Sequence, residues 1–233
     1  MFAWLEKNPF FFTIAFVITF SIAGLVQIIP DFTKSARPIE GLRPLTVLET
    51  AGRQVYIQEG CIGCHSQLIR NFSSETERYG MYSLSGEYAY DRPFLWGSKR
   101  TGPDLHRVGD YRSSDWHANH MWEPTSVVPG SIMPAYKHLY AKTADFDTAY
   151  AEAVTQKKVF NVPYDTNNGV KLGDYNAAKE QYNNEAKAIV ESMKNPIATK
   201  AFDDGKGNVT EIVALIAYLN SLGHSRIVLD QAK

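Results

Sequence analysis

Cys61-Ile62-Gly63-Cys64-His65 holds both cysteines of the 233-residue chain and sets a histidine directly after the second. Two thiols at this spacing, followed at once by an imidazole, read as a covalent attachment site for haem. The chemistry asks for two thioether bonds to the porphyrin vinyl groups, from Cys61 and Cys64, and for a proximal nitrogen on the iron, from His65. A disulfide or half of a zinc site is the plainer reading of the two cysteines. Zinc would need two further ligands at its own spacing, and either alternative leaves His65 without a role.

The second axial position of such an iron could be filled from Met81, Met121, Met133 or Met193, or from one of five further histidines. Met133 stands in Val128-Pro129-Gly130-Ser131-Ile132-Met133-Pro134-Ala135-Tyr136, where proline and glycine favour a stiff, non-helical loop able to present a sulfur to the distal side. A lone methionine is otherwise a gap-filler in a core. The Met133-Pro134 pair resembles the ligand loop of class I cytochromes c. Gly102-Pro103-Asp104-Leu105 resembles the segment of that fold whose proline carbonyl accepts the N–H of the proximal imidazole, which implies Pro103 as the partner that orients His65. His117 and His120 would share a helical face, but no carboxylates or cysteines converge on them. With His106, His138 and His224 they read as packing or interface residues.

These residues need elements to hold them. Thr46 and Glu49 form a capping box that opens a helix, with Leu48, Ala51, Gly52, Val55 and Tyr56 on one face and Gly60 closing it just before the haem motif. Near the C-terminus Asn208 and Glu211 read as a second cap pair, Ile212, Leu215, Ile216 and Leu219 form an apolar stripe, and Gly223 stops the helix. The two helices are expected to cross, with Gly52 allowing close approach and Tyr56 and Tyr218 as packing partners. Two insertions enlarge this core. Residues 66–100 end in an aromatic and charged stretch from Glu87 to Arg100, read as an interaction surface. There Tyr88, Tyr90, Phe94 and Trp96 supply apolar anchors, and Arg92, Lys99 and Arg100 can pair with carboxylates or haem propionates. Residues 142–207 carry two amphipathic helices, one around Phe146, Tyr150, Ala153 and Val154, the other capped by Asp174.

A formal net charge of −1 gives no sign of nucleic acid as a partner. The segment from Pro9 to Ile29 contains no charged residue and reaches about 30 Å as a helix, which matches the hydrocarbon thickness of a lipid bilayer. Ser21-Ile22-Ala23 resembles a signal cleavage site, but the apolar run is too long for a signal core, so a retained anchor is expected. Trp4 and Lys7 would lie at one interface and Asp31, Lys34 and Arg37 at the other. The count of basic residues favours the opposite orientation, yet long translocated domains weaken that rule. The fold expected is mainly α: residues 1–34 a cytoplasmic tail and transmembrane helix, 35–44 a linker, and 45–233 a class I cytochrome c-like haem domain in the periplasm with its insertions at about 66–100 and 142–207.

The anchor, the block EGCIGCHSQLIR, the block YDRPFLWGSKRTGPDL, the run SSDWHANHMWEPTSVVPGSIMPAY and the final EIVALIAYLNSLG together resemble the mono-haem cytochrome c subunit (subunit II) of cbb3-type cytochrome c oxidases. The resemblance spans the chain except for about 141–208. It implies a non-catalytic electron-transfer subunit of a bacterial inner-membrane oxidase. Electrons would come from a di-haem cytochrome subunit, pass through one haem c, and leave for haem b of the haem-copper catalytic subunit, where oxygen is reduced to water. It also implies a calcium ion shared with the catalytic subunit near the haem propionates, to which Ser98 would contribute. The alternatives are a free-standing membrane-anchored cytochrome shuttle and a haem peroxidase or gas sensor. The aromatic insertion speaks against a shuttle, which needs only a small docking patch, and the Met133 loop speaks against an open distal site.

Overall fold

The structure, a computed structural model, describes residues 3–33, 38–166, 170–194 and 208–227. Lys34 and Arg37, expected at a membrane interface, lie outside them, as do 167–169 and 195–207 of the second insertion. Two compact units divide at Arg37 and Pro38.

The first unit holds a short helix α1 (Ala3–Glu6) and the long apolar helix α2 (Pro9–Thr33). Within α2 the run Pro9–Ile29 is long and apolar enough to cross a bilayer. Phe10, Phe12, Phe16 and Phe20 are exposed along it, as lipid-facing side chains would be.

The second unit is helical and is built around one pair of helices. Helix α3 (Val47–Gln58) opens on the capping box read from the sequence, Thr46 Oγ1 accepting from the Glu49 N–H and the Glu49 carboxylate from the Thr46 N–H. Helices α4 (Ser73–Tyr79), α5 (Ser114–Trp122), α6 (Pro124–Val127), α7 (Phe146–Val159), α8 (Tyr175–Ser192) and α9 (Glu211–Ser221) follow. α3 and α9 pack so closely that a Cβ on Gly52 would lie 1.8 Å from the Ala214 carbonyl oxygen. Tyr56 and Tyr218 meet edge to face across the same contact, with ring centroids 5.5 Å apart.

Two sequence expectations need correction. The cap of α9 is Thr210, with no side-chain cap bond, and not Asn208. The chain there pairs with residues 142–144, the Glu211 N–H donating to the Lys142 carbonyl (2.8 Å) and the Ala144 N–H to the Val209 carbonyl (2.9 Å), so tertiary pairing does the work of a local cap. The linker ends early. Leu42 and Leu45 are buried, and the Arg43 N–H donates to the Arg226 carbonyl, because apolar side chains inside a Pro-rich stretch find the core. The second insertion contributes to the domain core. Phe146, Ala149, Ala153, Tyr164 and Tyr182 belong to the domain core, and the Tyr164 hydroxyl donates to the Leu45 carbonyl.

Candidate haem site

Glu59 caps the end of helix α3, and Gly60 turns the chain with a left-handed φ of 69°, a conformation glycine adopts without penalty. Cys61–Gly63 then form a single 3-10 turn. The Cys64 and His65 N–H groups both return to the Cys61 carbonyl, at 3.1 and 2.9 Å. Cys61 is buried and Cys64 exposed on this turn. Burial pushes the Cys61 thiol up to about 12, helped by the nearby Glu59 charge. Among the described residues no group of three His, Cys, Asp or Glu side chains could hold a metal ion.

The segment carrying Pro103 runs beside the segment that follows the haem motif. The Gly102 N–H donates to the Cys64 carbonyl (2.9 Å) and the Leu105 N–H to the Ser66 carbonyl (2.8 Å). Between these bonds His65 Nδ1 lies 2.8 Å from the Pro103 carbonyl oxygen, the ring N–H donating. That contact takes up Nδ1 and leaves Nε2 as the ring nitrogen for a metal. Burial holds the His65 imidazole below its usual range, while the Pro103 carbonyl and Asp104 pull the other way. A neutral imidazole with Nδ1–H engaged is the form that ligates iron. Gly102 completes the cradle, since a Cβ there would stand 2.3 Å from His65 Cε1. A haem iron ligated by His65 therefore suits the residues present.

Met133 is half-buried and packs at the margin of the core. Its loop is tied down by Gly130 at φ 79°, by the Ser131 hydroxyl accepting from the Met133 N–H (3.2 Å), and by the Tyr136 N–H donating to the Met121 carbonyl (2.8 Å). Met121 and Met193 are buried in the apolar core, and Met81 is exposed. Ser98 is exposed on the turn after Gly97, and that turn lies against the haem motif, with a Gly97 Cβ 3.0 Å from the His65 carbonyl oxygen.

The remaining histidines have separate duties. His106 is buried, stacks on Tyr88 (centroids 4.8 Å apart), and is held down to about 4 by burial and by Arg107. His138 pairs with Glu59 (3.0 Å) and His224 with Asp110 (2.8 Å). His117 and His120 share α5. His117 is buried, and His120 stacks on Trp116 at 4.5 Å. Burial holds the His120 imidazole down to about 4, with His65 and Arg112 acting in the same direction.

The aromatic insertion divides into two parts. Tyr88 and Tyr90 are core, the Tyr88 hydroxyl donating to the Gln67 carbonyl (2.7 Å). Phe94 and Trp96, 47% and 38% exposed, stack face to face with centroids 4.5 Å apart. Arg100 does not project as a free cation. Its guanidinium donates to the Ser66 hydroxyl, the Leu68 carbonyl and the Glu75 carboxylate, each at 2.7 Å, and so pins the segment after His65 to α4. Those partners lie 25 to 34 residues away in sequence, so no local pattern announces them. Asp104, for which no role could be read from the sequence, accepts three hydrogen bonds beside this pin.

The chain matches the family described as cytochrome c oxidase, mono-heme subunit/FixO, over residues 2–226. It belongs to that family. Among curated proteins no match is found. As a FixO subunit the chain is a haem-bearing electron-transport component of a membrane-bound cytochrome c oxidase, with a catalytic subunit as its partner. The match also runs through the second insertion, where the sequence resemblance was weakest.

Proposed function

We propose that this FixO subunit binds one haem c covalently through Cys61 and Cys64, ligates its iron with His65 and Met133, and relays electrons from a di-haem cytochrome subunit to haem b of the catalytic subunit. The observation that carries this reading is the His65 Nδ1 to Pro103 contact of 2.8 Å beside Gly102, which fixes one tautomer and one ring orientation at the end of a two-thiol turn. Bound there, the haem would supply reversible one-electron chemistry between Fe(II) and Fe(III).

The chain's residues do the rest. Cys61 and Cys64 fix the group to a turn that α3 leads into. His65 would offer Nε2 to the iron while its Nδ1–H donates to the Pro103 carbonyl. The soft sulfur of Met133 would favour the reduced state and would hold the second position on the iron against oxygen. The subunit thus passes electrons and leaves oxygen chemistry to its partner. The anchor would leave the amino terminus in the cytoplasm and the haem domain in the periplasm. Ser98 would be the residue offered to a calcium ion shared with the catalytic subunit.

Met133→Leu tests the distal assignment. The variant should keep its haem through denaturation, since the thioether residues are intact, but lose the sulfur-to-iron charge-transfer band and shift to lower potential. A band that survives the substitution removes Met133 from the iron.

A further inference from the structure

Asp104 follows Pro103 directly, and its side chain is fully enclosed. One carboxylate oxygen accepts from the Ser66 hydroxyl (2.6 Å) and the Leu68 N–H (2.8 Å), the other from the His106 N–H (2.9 Å). Ser66 and Leu68 belong to the segment leaving His65, whereas Asp104 and His106 belong to the segment carrying Pro103. The carboxylate therefore staples the two segments between which the His65 to Pro103 bond forms. Arg100 stands 3.6 Å away, but its charge is shared with Glu75, which it meets at 2.7 Å. A buried anion is left beside the proximal ligand with only part of a cation to offset it.

On the reading that His65 ligates the haem iron, we infer that Asp104 is a positioning residue that holds the haem's midpoint potential below the value a neutral side chain would give. Two physical effects act in the same direction. A negative charge in a poorly screened interior favours the more positive iron, Fe(III). A firmly held N–H···O=C bond makes the imidazole a more basic ligand, which also favours Fe(III). Asp104 would thus oppose the upward pull of the Met133 sulfur.

The sign of the effect separates this role from simple bracing. A brace that fails loosens the site and admits water, which favours Fe(III) and lowers the potential. Asp104→Asn is nearly isosteric, removes the charge and turns one acceptor into a donor facing donors, so the inference requires a rise.

The test is a redox titration of the c-type absorbance band in the detergent-solubilised full-length chain. Wild type must first show a covalent haem with histidine and methionine ligands; if it does not, the site reading itself fails. With that signature intact, Asp104→Asn should titrate at higher potential, and an unchanged or lower value overturns the inference. Ser66→Ala keeps the charge and removes one of its donors, so it should titrate lower. Should Asp104→Asn yield no haem-bearing protein, Ser66→Ala decides alone: a lower potential with the sulfur-to-iron charge-transfer band and the thermal midpoint both at wild-type values supports the inference, and an unchanged or higher potential, or a fall accompanied by loss of either signature, overturns it.

Discussion

Gly102 leaves no space for a side chain beside the His65 ring, because an added Cβ would sit 2.3 to 2.9 Å from three of its atoms. Gly102→Ala should displace the imidazole from the Pro103 carbonyl at a cost of about 1–3 kcal/mol, the usual range for overpacking. Less haem should be retained per chain on a stained denaturing gel, with a lower thermal midpoint for what remains. Haem content and midpoint equal to wild type would mean that the ring has room the structure does not give it. At this scale the sequence was informative wherever the chemistry is contiguous: two thiols and an imidazole in five residues declare themselves. The partners of Asp104 and Arg100 did not, because most of them are 25 or more residues distant and only the folded chain brings them together.

The elements repeat this contrast. The start of α3 could be read from Thr46 and Glu49, and that of α8 from Asp174, since an N-cap is a bond between near neighbours. Asn208 misled because the entrance to α9 is held by residues 142–144, a contact that local propensity cannot express. The aromatic stretch 88–96 misled in part. Composition alone does not tell a tyrosine that closes a core from a tryptophan that faces outward. With Tyr88 and Tyr90 buried and Arg100 committed to Glu75, the stacked pair Phe94 and Trp96 is the aromatic part of the stretch that stays exposed. Phe94→Ala combined with Trp96→Ala should leave the haem spectrum of the chain unchanged and reduce the catalytic subunit recovered with it by several-fold, as loss of large aromatic anchors does. Undiminished recovery in the double variant would place the docking surface elsewhere.

The whole molecule joins a membrane-length apolar helix to a haem-bearing domain as a subunit of an oxidase. Length and hydropathy made the anchor legible, because a bilayer imposes a fixed thickness on any helix that spans it. The domain was legible through its motif and its two principal helices. The extent to which the second insertion shares their core was not, since Tyr164 and Tyr182 reach it from helices and turns far along the chain. The central claim is the proposed one, that this chain carries electrons to its partner and does not itself deliver them to oxygen, because His65 and Met133 would fill both axial positions. The direct measurement mixes the pre-reduced full-length chain with oxygenated buffer, alone and assembled with the catalytic subunit, and follows the c-type absorbance in time. The account predicts a haem that stays reduced alone on the timescale of turnover and is oxidised rapidly in the assembly. Equally rapid oxidation in the absence of the catalytic subunit would contradict it.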